Sequence, residues 1–123
     1  MIPTVLEAYE REVAAYRISA QSMNEEACRE HLSRAHILSQ HSVALHLKTH
    51  FLMLGFGART FDLKEVLGQV IRITATVPGH LFGKVPVGNI GWSSVELTQE
   101  MSVPPDLNEI LEKDLKDCSR LRR

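Results

Sequence analysis

The chain has 123 residues, of which 44% are hydrophobic and 24% charged, with a formal net charge of -1. A chain of this size can bury enough apolar surface to fold as one domain, 1–123, without covalent support. Its charge balance supplies no global basic field for nucleic acid. No apolar run reaches the roughly eighteen residues that span a bilayer. The acidic start (Glu7, Glu10, Glu12) does not read as a secretory leader. Two cysteines, Cys28 and Cys118, make no disulfide framework, so the expected setting is cytoplasmic with both thiols free.

Elements follow in chain order. Thr4 and Glu7 have capping-box spacing, and Leu6, Tyr9, Val13 and Tyr16 recur at steps of three and four, which predicts a helix over about 4–20. A second start lies at Ser22 or Asn24. Leu38, Leu45 and Leu52 then recur seven apart until Gly55 and Gly57. One helix over 23–54 would be about 48 Å long, so either a break near 40–44 or a gentle curve is expected. Asp62 and Glu65 form a third box, with Phe61 placed to staple onto Val66. The expected buried face of that helix is Val66, Leu67, Val70, Ile71 and Thr74, and Pro78-Gly79 is its expected end. Residues 80–105 carry Gly83, Pro86, Gly88, Asn89, Gly91 and Pro104-Pro105 and read as a long ordered loop. A last helix is expected at about 106–118, capped by Asp106, with Leu107, Ile110, Leu111 and Leu115 inward. The expected fold is therefore all-α: a three- to four-helix antiparallel bundle with the 80–105 loop packed over it.

Five of six histidines fall in one segment: His31, His36, His41, His46 and His50. His46 and His50, one turn apart, share a helix face and suit capture of zinc, copper, nickel or iron by neutral imidazoles. His36 shares their half-cylinder with Gln40, while His31 and His41 point elsewhere. On a straight helix His36 and His50 stand about 21 Å apart along the axis. Three-histidine coordination therefore requires a break between Gln40 and His46, or a partner copy. Otherwise a carboxylate from the first helix must complete the site, and Glu10 is favoured over Glu7 and Glu12. Proton competition is expected to weaken binding below the ordinary histidine pKa of about 6.5. The competing reading makes these histidines interfacial, bonded to Tyr9, Tyr16, Gln40 or loop carbonyls.

Several stretches resemble one family. They are His31-Leu32-Ser33-Arg34-Ala35-His36-Ile37-Leu38-Ser39-Gln40, His46-x-x-x-His50 with Met53-Leu54, Glu65-Val66-Leu67-Gly68-Gln69 with Arg72, and Val85-Pro86-Val87-Gly88-Asn89-x-Gly91. Together they look like the bacterial family of domain of unknown function 3703. The resemblance covers roughly 25–110 and implies a compact helical fold with no settled activity. It extends to His36, Gln40, His46, His50, Gly68, Gln69, Arg72, Pro86, Gly88 and Asn89, and this chain departs from it at Ser33, Ser39, Ile90 and Trp92. The family often has a proline just before the position of His46, where this chain has Leu45, which implies a helix break there.

Gln69 and Arg72, three apart, are expected to hold the Gly88-Asn89 turn, with anion binding by Arg72 as the alternative. Cys28 reads as a small buried apolar residue. The leading functional expectation is a cytoplasmic metal-binding protein using His36, His46 and His50. The alternative is an interaction module, a homodimer without metal or catalysis, using the long helix and Phe82, Val85 and Trp92.

Overall fold

The computed structural model describes residues 1–122. Among them are five α-helices and no strand: α1 (Val5–Gln21), α2 (Glu25–Ser39), α3 (Val43–Arg59), α4 (Leu63–Leu81) and α5 (Pro105–Leu121). None is long and apolar enough to cross a membrane. The all-α architecture is as expected, with one helix more than the upper count.

α1 begins as the sequence indicates, with the Thr4 hydroxyl accepting from the Glu7 amide and Tyr9, Val13 and Tyr16 buried. Asn24, rather than Ser22, caps α2 by accepting from the Ala27 amide. The 23–54 segment is two helices. Its break falls at Gln40–Ser42, and the Ser42 hydroxyl caps α3 by accepting from the Leu45 amide. α3 then runs through both glycines to Arg59. At Gly57 a β-carbon would sit 3.3 Å from Cβ of Glu65, so the bare backbone lets α4 approach closely.

Two apolar clusters form the core. One joins α1, α2 and α5 through Tyr9, Val13, Leu38 and Leu107. The other joins Tyr16, Cys28, Leu32, Met53, Phe56 and Trp92. Cys28 is buried there as expected, whereas Cys118 is exposed. The Arg29 guanidinium lies 4.7 Å over the Trp92 ring and 5.2 Å over Phe56, closing that cluster with cation–π contacts.

α4 corrects the sequence reading most. Asp62 caps it by accepting from the Glu65 amide, but Phe61 makes no staple: it has φ 56 and is almost fully exposed. Leu67 and Ile71, expected inside, are 59% and 60% exposed, and Val70 and Thr74 are exposed with them. The buried side chains are Glu65, Gln69, Arg72 and Thr76. The polar face is inward because α3 and the 84–104 loop offer it hydrogen-bonding partners, and tertiary partners outrank hydrophobic periodicity. α4 also passes through Pro78-Gly79, and the chain leaves it at Gly83 (φ 65), whose amide returns to the carbonyl of His80. α5 opens on Pro104-Pro105 with no side-chain cap. Asp106 instead pairs with Arg34, which also binds Glu12. Leu107 and Leu111 face inward, but Leu115 is exposed.

The loop between α4 and α5 is held by side chains rather than by strands. Gln40 brackets it, donating to the Pro86 carbonyl (2.6 Å) and accepting from the Gly88 amide (3.1 Å). Asn89 donates to the carbonyls of Glu96 and Gln99 and accepts from the Gly91 amide. Gly88 has φ 76, and a β-carbon there would collide with the Met101 carbonyl. Gly88→Ala is therefore expected to cost about 2–4 kcal/mol. Gly55→Ala, where nothing lies within 4 Å, is expected to gain about 0.5–1 kcal/mol. Urea denaturation of both variants checks this, and equal midpoints would contradict the loop geometry.

Candidate metal centre

His36 lies in the last turn of α2, and His46 and His50 lie in the first two turns of α3. The Gln40–Ser42 turn sets α3 against α2, removing the axial separation that a straight helix would impose. All three side chains are buried, and a ligand nitrogen from each lies within 4.8 Å of the other two. Nε2 of His36 is 3.1 Å from Nε2 of His50 and 3.1 Å from Nε2 of His46.

The outer ring nitrogens decide where the protons sit. Nδ1 of His36 is 2.5 Å from the Asn89 carbonyl, which can only accept, so this nitrogen carries hydrogen. Nδ1 of His50 is 2.7 Å from Oε1 of Gln69. That amide is oriented by its own donations to Glu65 Oε2 (2.8 Å) and the Gly91 carbonyl (3.0 Å), so Oε1 must accept. The neutral forms of His36 and His50 therefore turn bare Nε2 lone pairs toward each other. His46 contacts Nε2 of His80 through Nδ1 at 2.9 Å. When that nitrogen donates, a third lone pair joins the other two.

Charging any ring is opposed. Burial first, then His50 and His46, push the pKa of His36 well below its ordinary value. Burial, then His50 and His80, lower His46 to about 3. Burial lowers His50 to about 4, against the raising effect of Gln69. The ordinary value of 6.5 used to anticipate proton competition therefore does not apply here.

The surrounding residues build this arrangement. Glu65, 3% exposed, accepts from Gln69 and from both the amide and the hydroxyl of Ser93 (2.9 and 3.0 Å). Arg72 donates to the carbonyls of Gly68 and Val95. Gln69 and Arg72 thus hold the loop as expected, but at Gly91 and Val95 rather than at Gly88-Asn89. At Gly91 (φ 87) a β-carbon would lie 2.6 Å from the His36 ring, so the imidazole fills the space a side chain would need.

The other expected site residues lie elsewhere. Glu10 is exposed on α1 and outside the converging group. Nδ1 of His31 lies 2.8 Å from Glu12, which also binds Arg34, a partner on α1 other than those expected for an interfacial histidine. His41 is exposed. Sequence reasoning did not foresee His80, Glu65, Ser93 or Gly91. The signal for His80 was present but masked, because Pro78-Gly79 read as a helix end.

The family model of a protein of unknown function, DUF3703, matches residues 3–111. The chain belongs to DUF3703. Among curated proteins nothing matches, and among solved structures nothing matches. For this DUF3703 member the chemistry must be read from the site itself.

Neutral buried histidines make stability depend on acid. Each takes up a proton on unfolding once pH falls below about 6.5, whereas the folded protein resists until about 4 for His50 and about 3 for His46. Their full stability is therefore present above pH 6.5 and is lost as pH falls toward those folded values. At pH 5 the loss is about 2 kcal/mol per histidine. Thermal melts of metal-free protein from pH 7 to pH 5 should show the midpoint falling, and His50→Gln should flatten that fall. A midpoint insensitive to pH over this range would contradict the buried, neutral assignment.

Proposed function

We propose that the protein binds one transition-metal ion through Nε2 of His36, His46 and His50. The observation that carries this reading is the contact between His36 and His50. Two nitrogens whose outer partners require them to be bare stand 3.1 Å apart in a buried site. No proton is available to join them without charging an imidazole, which burial disfavours. A cation between them turns mutual repulsion into coordination.

The spacing supports the same reading. Nitrogens about 2.0–2.1 Å from a tetrahedral zinc ion stand about 3.3 Å apart, close to the two 3.1 Å separations. Three neutral imidazoles suit zinc, copper, nickel or iron and carry no charge bias among them. The outer partners, Asn89 and Gln69, are of the kind that fix ring orientation and ligand basicity at metal sites. Glu10 lies outside the converging group and supplies no fourth ligand in this reading. Instead, a cavity of about 170 Å³ adjoins the three rings and is bordered by Arg72, Lys84 and Thr98, leaving room for water or a small exogenous ligand. Three protein ligands with an open position belong to exchangeable or reactive sites rather than closed structural ones.

The test is titration of metal-free protein with cobalt(II) and zinc(II), followed by absorption and calorimetry. One equivalent should bind to the parent protein. His36→Ala and the His46→Ala, His50→Ala double variant should lose binding while keeping their helical circular dichroism. Gln69→Leu should weaken binding about 10- to 100-fold. Equal stoichiometry in the parent and the double variant would refute the site.

A further inference from the structure

The outward face of α4 is apolar along its whole length. Leu63, Leu67 and Leu81 are 70%, 59% and 76% exposed, with Val70, Thr74 and Val77 exposed between them. At 100° per residue these six positions fall within an arc of about 80°. No charged side chain lies in that arc, since Lys64 projects to one side of it. The face continues onto α3, which packs beside α4 and leaves Leu47 and Leu54 partly exposed.

We propose that this face is covered by a second copy of the chain, with α4 antiparallel to the partner's α4 across a two-fold axis. The stripe is close to palindromic. An axis near the level of Arg72 sets position 63 opposite 81, 67 opposite 77, and 70 opposite 74. Leucines thus meet at the ends, while valine and threonine meet at the middle. An isologous contact requires this self-complementarity, and a heterologous partner would not demand it. The exposed area of Leu63, Leu67, Val70, Ile71, Val77 and Leu81 comes to roughly 600 Å² per copy, the lower end of what a stable dimer of standard size buries. Two α3–α4 hairpins joined this way make a four-helix arrangement whose seam is a core packed from both sides. A membrane surface fits less well. Helices that lie on membranes flank their apolar stripe with basic side chains on the polar face, and the polar face of α4 is buried inside the fold.

This surface differs from the Phe82–Val85–Trp92 patch suggested by the sequence, because Trp92 is buried and donates to the Ser33 hydroxyl at 2.7 Å. It also stands apart from the histidines, so its test is independent of metal. Sedimentation equilibrium of the metal-free protein at micromolar concentration should give twice the chain mass. Leu67→Glu and Val70→Lys lie at exposed positions and should each yield a monomer with unchanged helical circular dichroism, weakening association at least 100-fold. Val70→Lys in one chain and Thr74→Glu in the other should restore mixed dimers, since the axis sets position 70 opposite position 74. A parent protein that remains monomeric at all concentrations would overturn the proposal. So would variants that stay dimeric, or a monomeric parent that pellets with phosphatidylcholine vesicles.

Discussion

The site depends on a directional constraint: the outer nitrogens of two buried imidazoles face groups that can only accept. A backbone carbonyl fixes His36 and an oriented amide fixes His50. Because a neutral imidazole holds one proton, fixing it outside empties the inside. The glutamine that performs this for His50 is itself held by a buried carboxylate and by a loop carbonyl. The inward chemistry is therefore set one layer further out, by Glu65, Ser93 and Gly91.

That outer layer explains why α4 is inverted. A helix that buries Glu65, Gln69, Arg72 and Thr76 gives up hydrophobic burial on that side. Every one of these groups finds a partner, and among the described residues no buried side-chain polar atom is left unsatisfied. The polar network anchors an otherwise irregular loop, and the loop returns the Asn89 and Gly91 carbonyls to the histidine rings and to Gln69. The apolar side displaced outward then becomes a surface. One choice of helix orientation thus produces both the furnished interior and the bare exterior.

Much of this was legible in the sequence where local chemistry decides the outcome. Thr4, Asn24 and Asp62 cap helices as small acceptors do, and the histidine spacing pointed to His36, His46 and His50 once a break was allowed. Gln40, Gln69, Arg72 and Asn89 stood out through the family resemblance, and each makes a structural bond at the loop. What failed were inferences from periodicity and punctuation. Leu67, Val70 and Ile71 have a core-facing rhythm yet lie outside, because amphipathicity reports two faces without saying which is inward. Pro78 read as a terminator, but α4 runs on past it to Leu81, giving up only the one amide-to-carbonyl bond that a proline cannot make. Glu65 looked like a capping residue. Only the position of Ser93, 28 residues away, turns its side chain inward.

The sequence distances within the site carry a consequence for its assembly. The three donor rings arrive together on one short hairpin, the outermost two 14 positions apart. The acceptors that set their tautomers come from farther along the chain, 53 residues from His36 for Asn89 and 19 from His50 for Gln69. Short closures form sooner than long ones. A folding chain therefore gathers its imidazoles while they can still swap tautomer or pick up protons from water. Their fixed, proton-free orientation arrives last, with the docking of a segment that bears none of the donors.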